Sequence, residues 1–404
     1  MGRKITCVGA GPAGLYFAIL AKLLDSDHAV TVIERGPEGI TYGWGVVFWD
    51  GLLEDLERTD PETARRVRDN AFRWSDLVVR VDAGPPVRDP GHGYSMRRQT
   101  LLSILIERAR ELEVELVFGR EIEDASELAG SDLVVASDGA NSRLRQQSAE
   151  RFGTRAVRGR NKYIWLGTSK VFDSFTFPFV HTQVGLIWAH AYGFDSEGST
   201  FIVETSPETW RGLGFEGLPP GQSMKLLEGL FEASLEGHPL QPQVGTRDHT
   251  PWLEFQTVTN RSWHHGNLAL MGDAAHTNHF TIGAGTRLAL EDAIGLATQL
   301  HVHGDIPAAL AAYGKQRSGD LVEAQRTARN SAHWYENVPR YSGHGTSALA
   351  ELMSRRRSSF LRRMPPRLYL SLVHGGSRAP GLTGLARRGV YGWRNLSRRW
   401  LRSR

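Results

Sequence analysis

Gly9, Gly11 and Gly14 directly follow an apolar run and open a helix-forming segment, an arrangement suited to holding the pyrophosphate of a dinucleotide. Gly9 permits the tight turn, Gly11 lets the backbone approach the phosphates, and Gly14 permits close packing of helix on strand. The helix N-terminus that follows favours the anion. Glu34 stands twenty positions beyond Gly14, and a carboxylate there accepts a ribose hydroxyl and repels a 2'-phosphate. That residue does not separate FAD from NAD. Two later segments carry related groups: Asp138-Gly139 with Ser142 and Arg145, and Gly272-Asp273-Ala274-Ala275-His276 followed by Gly283-Ala284-Gly285. An Asp-Gly pair after a strand is, taken alone, most often a turn. His264, His265, His276 and His279 suggest a metal cluster at first sight, but no neighbouring cysteine or acid completes a ligand set, so no metal site is expected.

These groups need a scaffold, and the pattern supplies one. Lys4 to Val8, Leu15 to Leu24 and Ala29 to Ile33 read as strand, helix, strand, a βαβ unit. A helix over Thr100 to Glu111, a strand over Val114 to Phe118 and another over Asp132 to Ala136 continue the same style, which returns after Trp263 with Leu268 to Asp273 and a long helix through Gln299. Val78 to Val87 and Tyr163 to Glu204 are instead rich in aromatic and β-branched residues and read as a largely antiparallel sheet inserted into the first unit. The expected fold is therefore α/β: a Rossmann-like domain over 1–75, 96–158 and 263–330, a β-rich domain over 76–95 and 159–262, and a helical, basic region over 331–404.

With 404 residues, 40% hydrophobic and 23% charged, and a formal net charge of +4, the composition excludes disordered, fibrous and disulfide-scaffold classes. The single cysteine, Cys7, has no partner in the chain, and no signal-peptide pattern or uninterrupted apolar span is found, so a cytoplasmic protein without a transmembrane helix is expected. The charge is uneven: beyond Glu351 there is no acidic residue, while arginines recur from Arg355 to Arg404. Such a tail is a solvated surface, or it contacts a phosphate-bearing ligand or a membrane surface, with Trp393, Leu396 and Trp400 on one helical face. A nucleic-acid partner is not expected.

The three glycine and aspartate segments together resemble the fingerprints of the flavin-dependent aromatic hydroxylases, the single-component group A flavoprotein monooxygenases, over nearly the whole stretch from Lys4 to Tyr341. Arg98 with Leu101 resembles that family's arginine-containing helix start. The likeness departs at Phe280, where many members have proline, and at Arg287, where they often have asparagine. Gly43-Trp44-Gly45-Val46-Val47, Gly159 to Trp165, Ala189-His190-Ala191-Tyr192 and Ser199 to Glu204 look like the tryptophan hydroxylase of violacein biosynthesis. Trp263 to Asn267 and His276 to Phe280 look closer to the salicylyl-CoA 5-hydroxylase and anthraniloyl-CoA monooxygenase group.

The resemblance implies non-covalent FAD, bound at Gly9, Gly11, Pro12, Ala13, Gly14, Glu34, Arg35, Arg98, Ile122, Asp138, Asp273, Gly283, Ala284 and Gly285. NADH or NADPH would be a transient reductant, with no second glycine fingerprint of its own. It implies reaction of reduced FAD with molecular oxygen to a C4a-hydroperoxide, whose distal oxygen passes to an electron-rich aromatic ring. The favoured substrate is an aryl thioester of CoA or a carrier protein, and the alternative is free tryptophan or another indole. His190 and His279 are the expected catalytic groups, positioned to hydrogen-bond a ring substituent or thioester carbonyl, and Val47, Trp165 and Phe280 the substrate wall. Halogenation is not expected, because the Trp-x-Trp-x-Ile-Pro signature is absent. A reading of another class is an FAD-binding redox or membrane-associated protein without catalysis. Oligomeric state is left open.

Overall fold

The computed structural model describes residues 2–41, 43–243, 251–341 and 343–375. Two sheets organise them. The first has five parallel strands in the order Leu268–Leu270, Leu133–Ala136, Lys4–Val8, Ala29–Glu34, Glu115–Phe118, with the two-residue strand His264–His265 added antiparallel at one edge. Parallel strands need both faces covered, and the central ones are correspondingly rich in apolar residues, as in Leu133–Ala136, where all four residues are buried. The helices Pro12–Leu24, Arg98–Glu111 and Gly285–Val302 pack within this α/β core. The first begins at Pro12, three residues earlier than the periodicity predicts, because Pro12 occupies the first turn, where its missing N–H costs nothing.

The second sheet has nine strands. Its order is Leu240–Gln241, Arg155–Thr168, Ser199–Thr205, Gly185–Gly193, Phe175–Thr182, Phe72–Val81, Val87–Arg97, Gly45–Phe48, with Leu253–Thr259 also paired to Arg155–Thr168. All pairings are antiparallel except Phe72–Val81 against Phe175–Thr182. Gly45–Phe48 belongs to this sheet although it lies early in the chain.

Alternation along the central strands sorts the side chains onto two faces. Ile187, Ala189, Ala191, Phe201, Val203, Ile164 and Leu166 enter a core with Phe215, Leu227 and Phe231. Trp188 and Phe179 face the other way, into a second core with Trp334, Tyr335, Val338, Tyr341, Leu349 and Leu352. The helix Ile306–Glu336, capped by the Asp305 side chain on the Ala308 N–H, links the two domains: Ala309, Leu310 and Tyr313 pack in the nucleotide core, Trp334 and Tyr335 beneath the curled sheet. No helix among the described residues is long and apolar enough to cross a membrane. Trp393, Leu396 and Trp400 lie outside the described residues.

Candidate active site

The strand Lys4–Val8 delivers Gly9 with φ +105°, and a Cβ there would lie 2.4 Å from the Ser137 carbonyl oxygen, so only glycine fits between the two parallel strands. At Gly14 a Cβ would lie 2.3 Å from the Gly9 oxygen and 2.4 Å from Ser137 Oγ, because the helix sits directly against the strand ends. Gly11 differs: an added Cβ would meet no heavy atom within 4 Å. The same openness occurs at Gly285, the first residue of the helix Gly285–Val302. Gly272 connects these regions, since a Cβ on it would lie 3.1 Å from the Ala13 Cβ.

Both oxygens of Glu34 are engaged with backbone: Oε2 accepts from the Ala10 N–H at 2.9 Å and Oε1 from the Gly36 N–H at 2.8 Å. Each oxygen retains lone-pair capacity for a hydroxyl, so the carboxylate is fixed in place for a ribose rather than consumed. Asp273 is solvent-accessible, yet surrounding protein removes enough bulk water to push its carboxyl pKa up, with His276 and Arg98 opposing the shift. That combination describes a side chain lining an interior opening. Arg98, whose Nε donates to Thr41 Oγ1 at 3.1 Å, lies in the electrostatic field of Asp273, and burial lowers its pKa. Asp138 accepts the Arg143 N–H through Oδ2 at 2.9 Å while its buried Oδ1 has no partner, and burial raises its pKa. An open backbone cradle at Gly11 and Gly285, an anchored Glu34 and an accessible Asp273 fit the phosphates, ribose and polyol of FAD.

Arg35 is exposed and pairs with Glu121 at 3.8 Å, and Ile122 is 4% exposed within the nucleotide core. Val47 faces the Gly283 turn, where a Cβ would lie 2.8 Å from Val47 Cγ2. Trp165 lies against Gly43.

His190, His279 and Phe280 do come together. The Phe280 ring is 5.4 Å from His190, 4.5 Å from His279, 4.9 Å from Tyr163 and 6.1 Å from Phe255, and Tyr335 and Phe177 close on His190 at 5.0 and 5.5 Å. Tyr163 also senses the charge of Asp273, which links this aromatic cluster to the opening, and burial pushes its phenol up to about 12. His279 Nδ1 meets Thr281 Oγ1 at 3.1 Å, and burial lowers its pKa to about 4, so it is neutral at pH 7. The carboxylate of Glu204 lies at the centre. Its Oε1 accepts from Asn161 Nδ2 at 2.7 Å, and its Oε2 from Trp188 Nε1 at 3.1 Å and His190 Nε2 at 3.2 Å. Sequence reading missed Glu204, Asn161, Tyr163 and Tyr335 as site residues; an acid directly after the apolar run Phe201 to Val203 was the available signal.

His276 has a different task. Its Nε2 meets Asp292 Oδ2 at 2.8 Å, Asp292 also accepts the Gly272 N–H at 3.0 Å and Arg317 Nε at 2.8 Å, and Trp263 stacks on the imidazole. The network ties the Gly272–His276 segment to two helices. Among the described residues no group of three or more His, Cys, Asp or Glu side chains is arranged to hold a metal ion. Two surface troughs of about 640 and 520 Å³, around Asp60 and Asp50, contain none of the site residues.

A Rossmann-like sheet with an open glycine cradle, joined to a curled sheet with an aromatic pocket, is the architecture of a flavin-dependent monooxygenase. Residues 233–324 match the family described as FAD binding domain. The chain is 40% identical over 348 residues to a salicyloyl-CoA 5-hydroxylase of a Streptomyces species, covering 84% of this chain and 66% of that one. It is 35% identical to the 3-hydroxy-4-methyl-anthranilyl-[aryl-carrier protein] 5-monooxygenase of Streptosporangium sibiricum, covering 83% and 90%, and 31% identical to the protodeoxyviolaceinate monooxygenase of Chromobacterium violaceum, covering 90% and 96%. The 2-methyl-3-hydroxypyridine-5-carboxylic acid oxygenase shares its fold, with a TM-score of 0.65 at 18% identity, over 90% of this chain and 98% of that one. The chain belongs to the group A flavoprotein monooxygenases, the single-component FAD-dependent enzymes that act on aromatic compounds.

Proposed function

We propose that this monooxygenase hydroxylates the ring of an aryl thioester of the salicylyl or anthraniloyl type, carried by CoA or a carrier protein, with NADH or NADPH as electron donor. The observation that carries the reading is the cluster of aromatic rings around Phe280, which combines flat apolar faces with imidazoles suited to a hydroxyl, an amine or a thioester carbonyl. Two of the relatives named above act, by their names, on aryl thioesters.

Gly11 and the helix N-terminus behind it hold the pyrophosphate, Glu34 the adenosine ribose, and Asp273 and Arg98 the polyol and ring side of FAD. Bound FAD would supply the activated oxygen atom that is transferred to the ring. Gly283, Ala284 and Gly285 direct backbone N–H groups and a helix N-terminus toward the flavin side of the opening. Phe280, Tyr163, Phe255 and Tyr335 exclude water and hold the aromatic ring flat, which protects reactive oxygen from hydrolysis. His279, neutral, is available to a thioester carbonyl or ring substituent.

The test is NADH and NADPH consumption by the purified yellow protein with salicylyl-CoA, anthraniloyl-CoA and tryptophan in parallel, with product mass recorded. Gain of one oxygen atom on a thioester supports the reading, and gain on tryptophan alone replaces the substrate class.

A further inference from the structure

We propose that Glu204 is a positioning residue that makes His190 the base for a ring hydroxyl on the substrate; the proposal rests on the pocket being the site of hydroxylation. Glu204 is 1% exposed on a strand whose seven residues are all buried. Trp188 stands directly opposite it in the sheet and His190 one diagonal step away, so the pleat puts all three on one face. Trp188 Nε1 can only donate, and Asn161 donates to the other oxygen, so the carboxylate has acceptors matched to donors on both sides. Burial opposes its charge, but the hydrogen bonds from His190 and Asn161 help outweigh that and hold its pKa below the usual carboxylate range.

An ionised Glu204 accepts and cannot donate, so His190 Nε2 carries the hydrogen of their 3.2 Å contact. The lone pair is then on Nδ1, for which no protein partner is found among the described residues. The other titratable or charged groups around the ring are poor alternatives. Tyr163 and Tyr335 have phenols raised by burial, His279 is a weak base, and Arg356, 5.8 Å from the Phe177 ring, is a cation.

The step is a proton transfer. The substrate O–H bond breaks, the proton forms an N–H bond at Nδ1, and the electron pair stays on the ring oxygen, raising electron density at the ring carbons that receive oxygen. The imidazolium is paired with Glu204, and the proton returns to product or water on release. A ring amine already supplies its lone pair without losing a proton, so it does not need this base.

The experiment compares wild type, Glu204→Gln and Glu204→Asp as FAD-loaded enzymes, with hydroxylated product measured per NAD(P)H oxidised on salicylyl-CoA and anthraniloyl-CoA. Glu204→Gln should lose about a hundredfold or more on the hydroxyl substrate, a general-base-sized effect, and its loss on the amine should be smaller by about tenfold or more. Its rate on the hydroxyl substrate should climb about tenfold per pH unit toward the substrate's own phenol pKa, where solution ionisation replaces the base. Glu204→Asp should recover part of the loss. Equal losses on both substrates, a pH profile parallel to wild type, or wild-type turnover confined to the amine would overturn the proposal. If Glu204→Gln does not retain FAD, His190→Gln takes its place, with the loss again expected to be larger on the hydroxyl substrate than on the amine. Wild type that oxygenates neither thioester refutes the substrate reading itself, an outcome visible before any variant is made.

Discussion

Gly11→Ala separates cofactor binding from folding. Gly11 has φ −78° and ψ 176°, which alanine adopts without strain, and the added methyl meets no heavy atom within 4 Å. The folded apoprotein therefore loses no contact, and the stiffer unfolded chain makes it more stable by about 0.4–1 kcal/mol. The open side of Gly11 is where the pyrophosphate must approach the backbone. Holding the phosphate away weakens one or two hydrogen bonds to charge, about 1.5–3 kcal/mol each, so the FAD Kd should rise by roughly ten- to ten-thousandfold at about 1.4 kcal/mol per decade. Gly14→Ala is the contrasting variant: its methyl would lie 2.3 Å from the Gly9 oxygen, and pushing helix from strand costs about 1–3 kcal/mol even without cofactor. The assay is thermal unfolding of the apoproteins beside FAD titration by flavin fluorescence. Gly11→Ala should melt no earlier than wild type and bind FAD weakly, and Gly14→Ala should melt earlier. Wild-type FAD affinity in Gly11→Ala refutes the placement of the pyrophosphate.

Asp292→Asn removes the anion facing Arg317 and His276 in a fully buried setting, and breaking such a pair costs about 3–5 kcal/mol; a shift below about 1 kcal/mol in denaturant unfolding would show the network to be dispensable. His279 gives a pH signature with a defined sign. The unfolded chain takes up a proton below about pH 6.5, whereas the folded protein keeps the ring neutral to about 4, so stability falls as pH drops through that window, by at most about 1.4 kcal/mol per unit. His279→Gln should flatten that part of the stability curve, and an unchanged slope between pH 4.5 and 6.5 contradicts the assignment. Arg362 is half-buried and Arg363 exposed on the basic segment after Glu351. Replacing both with alanine should raise the KM for a CoA thioester with kcat preserved, and an unchanged KM removes the tail from CoA phosphate binding.

The cofactor side was legible because its chemistry is local. Gly9, Gly11 and Gly14 act through backbone within one turn, and their spacing alone carries the reason for their identity, which the geometry then separates into two packing positions and one open one. The His276 segment was visible in the sequence, but its partners Asp292 and Arg317 come from two later helices, and no spacing announces them. The substrate side depends on register. His190 was visible as an imidazole among aromatics, while Glu204, fourteen positions later, becomes its partner only when two antiparallel strands pair Trp188 with Glu204; a register shifted by one residue would turn the carboxylate to the opposite face. Tyr335 was obscured for another reason. The helix Ile306–Glu336 continues unbroken past residue 330, carrying a residue from the nucleotide domain's helix to the underside of the second sheet. The acid at the end of the apolar run Phe201 to Val203 is the one mark of this arrangement that sequence does carry: once buried, such a carboxylate demands donors from adjacent strands, and here those donors include the imidazole proposed to accept the substrate's proton.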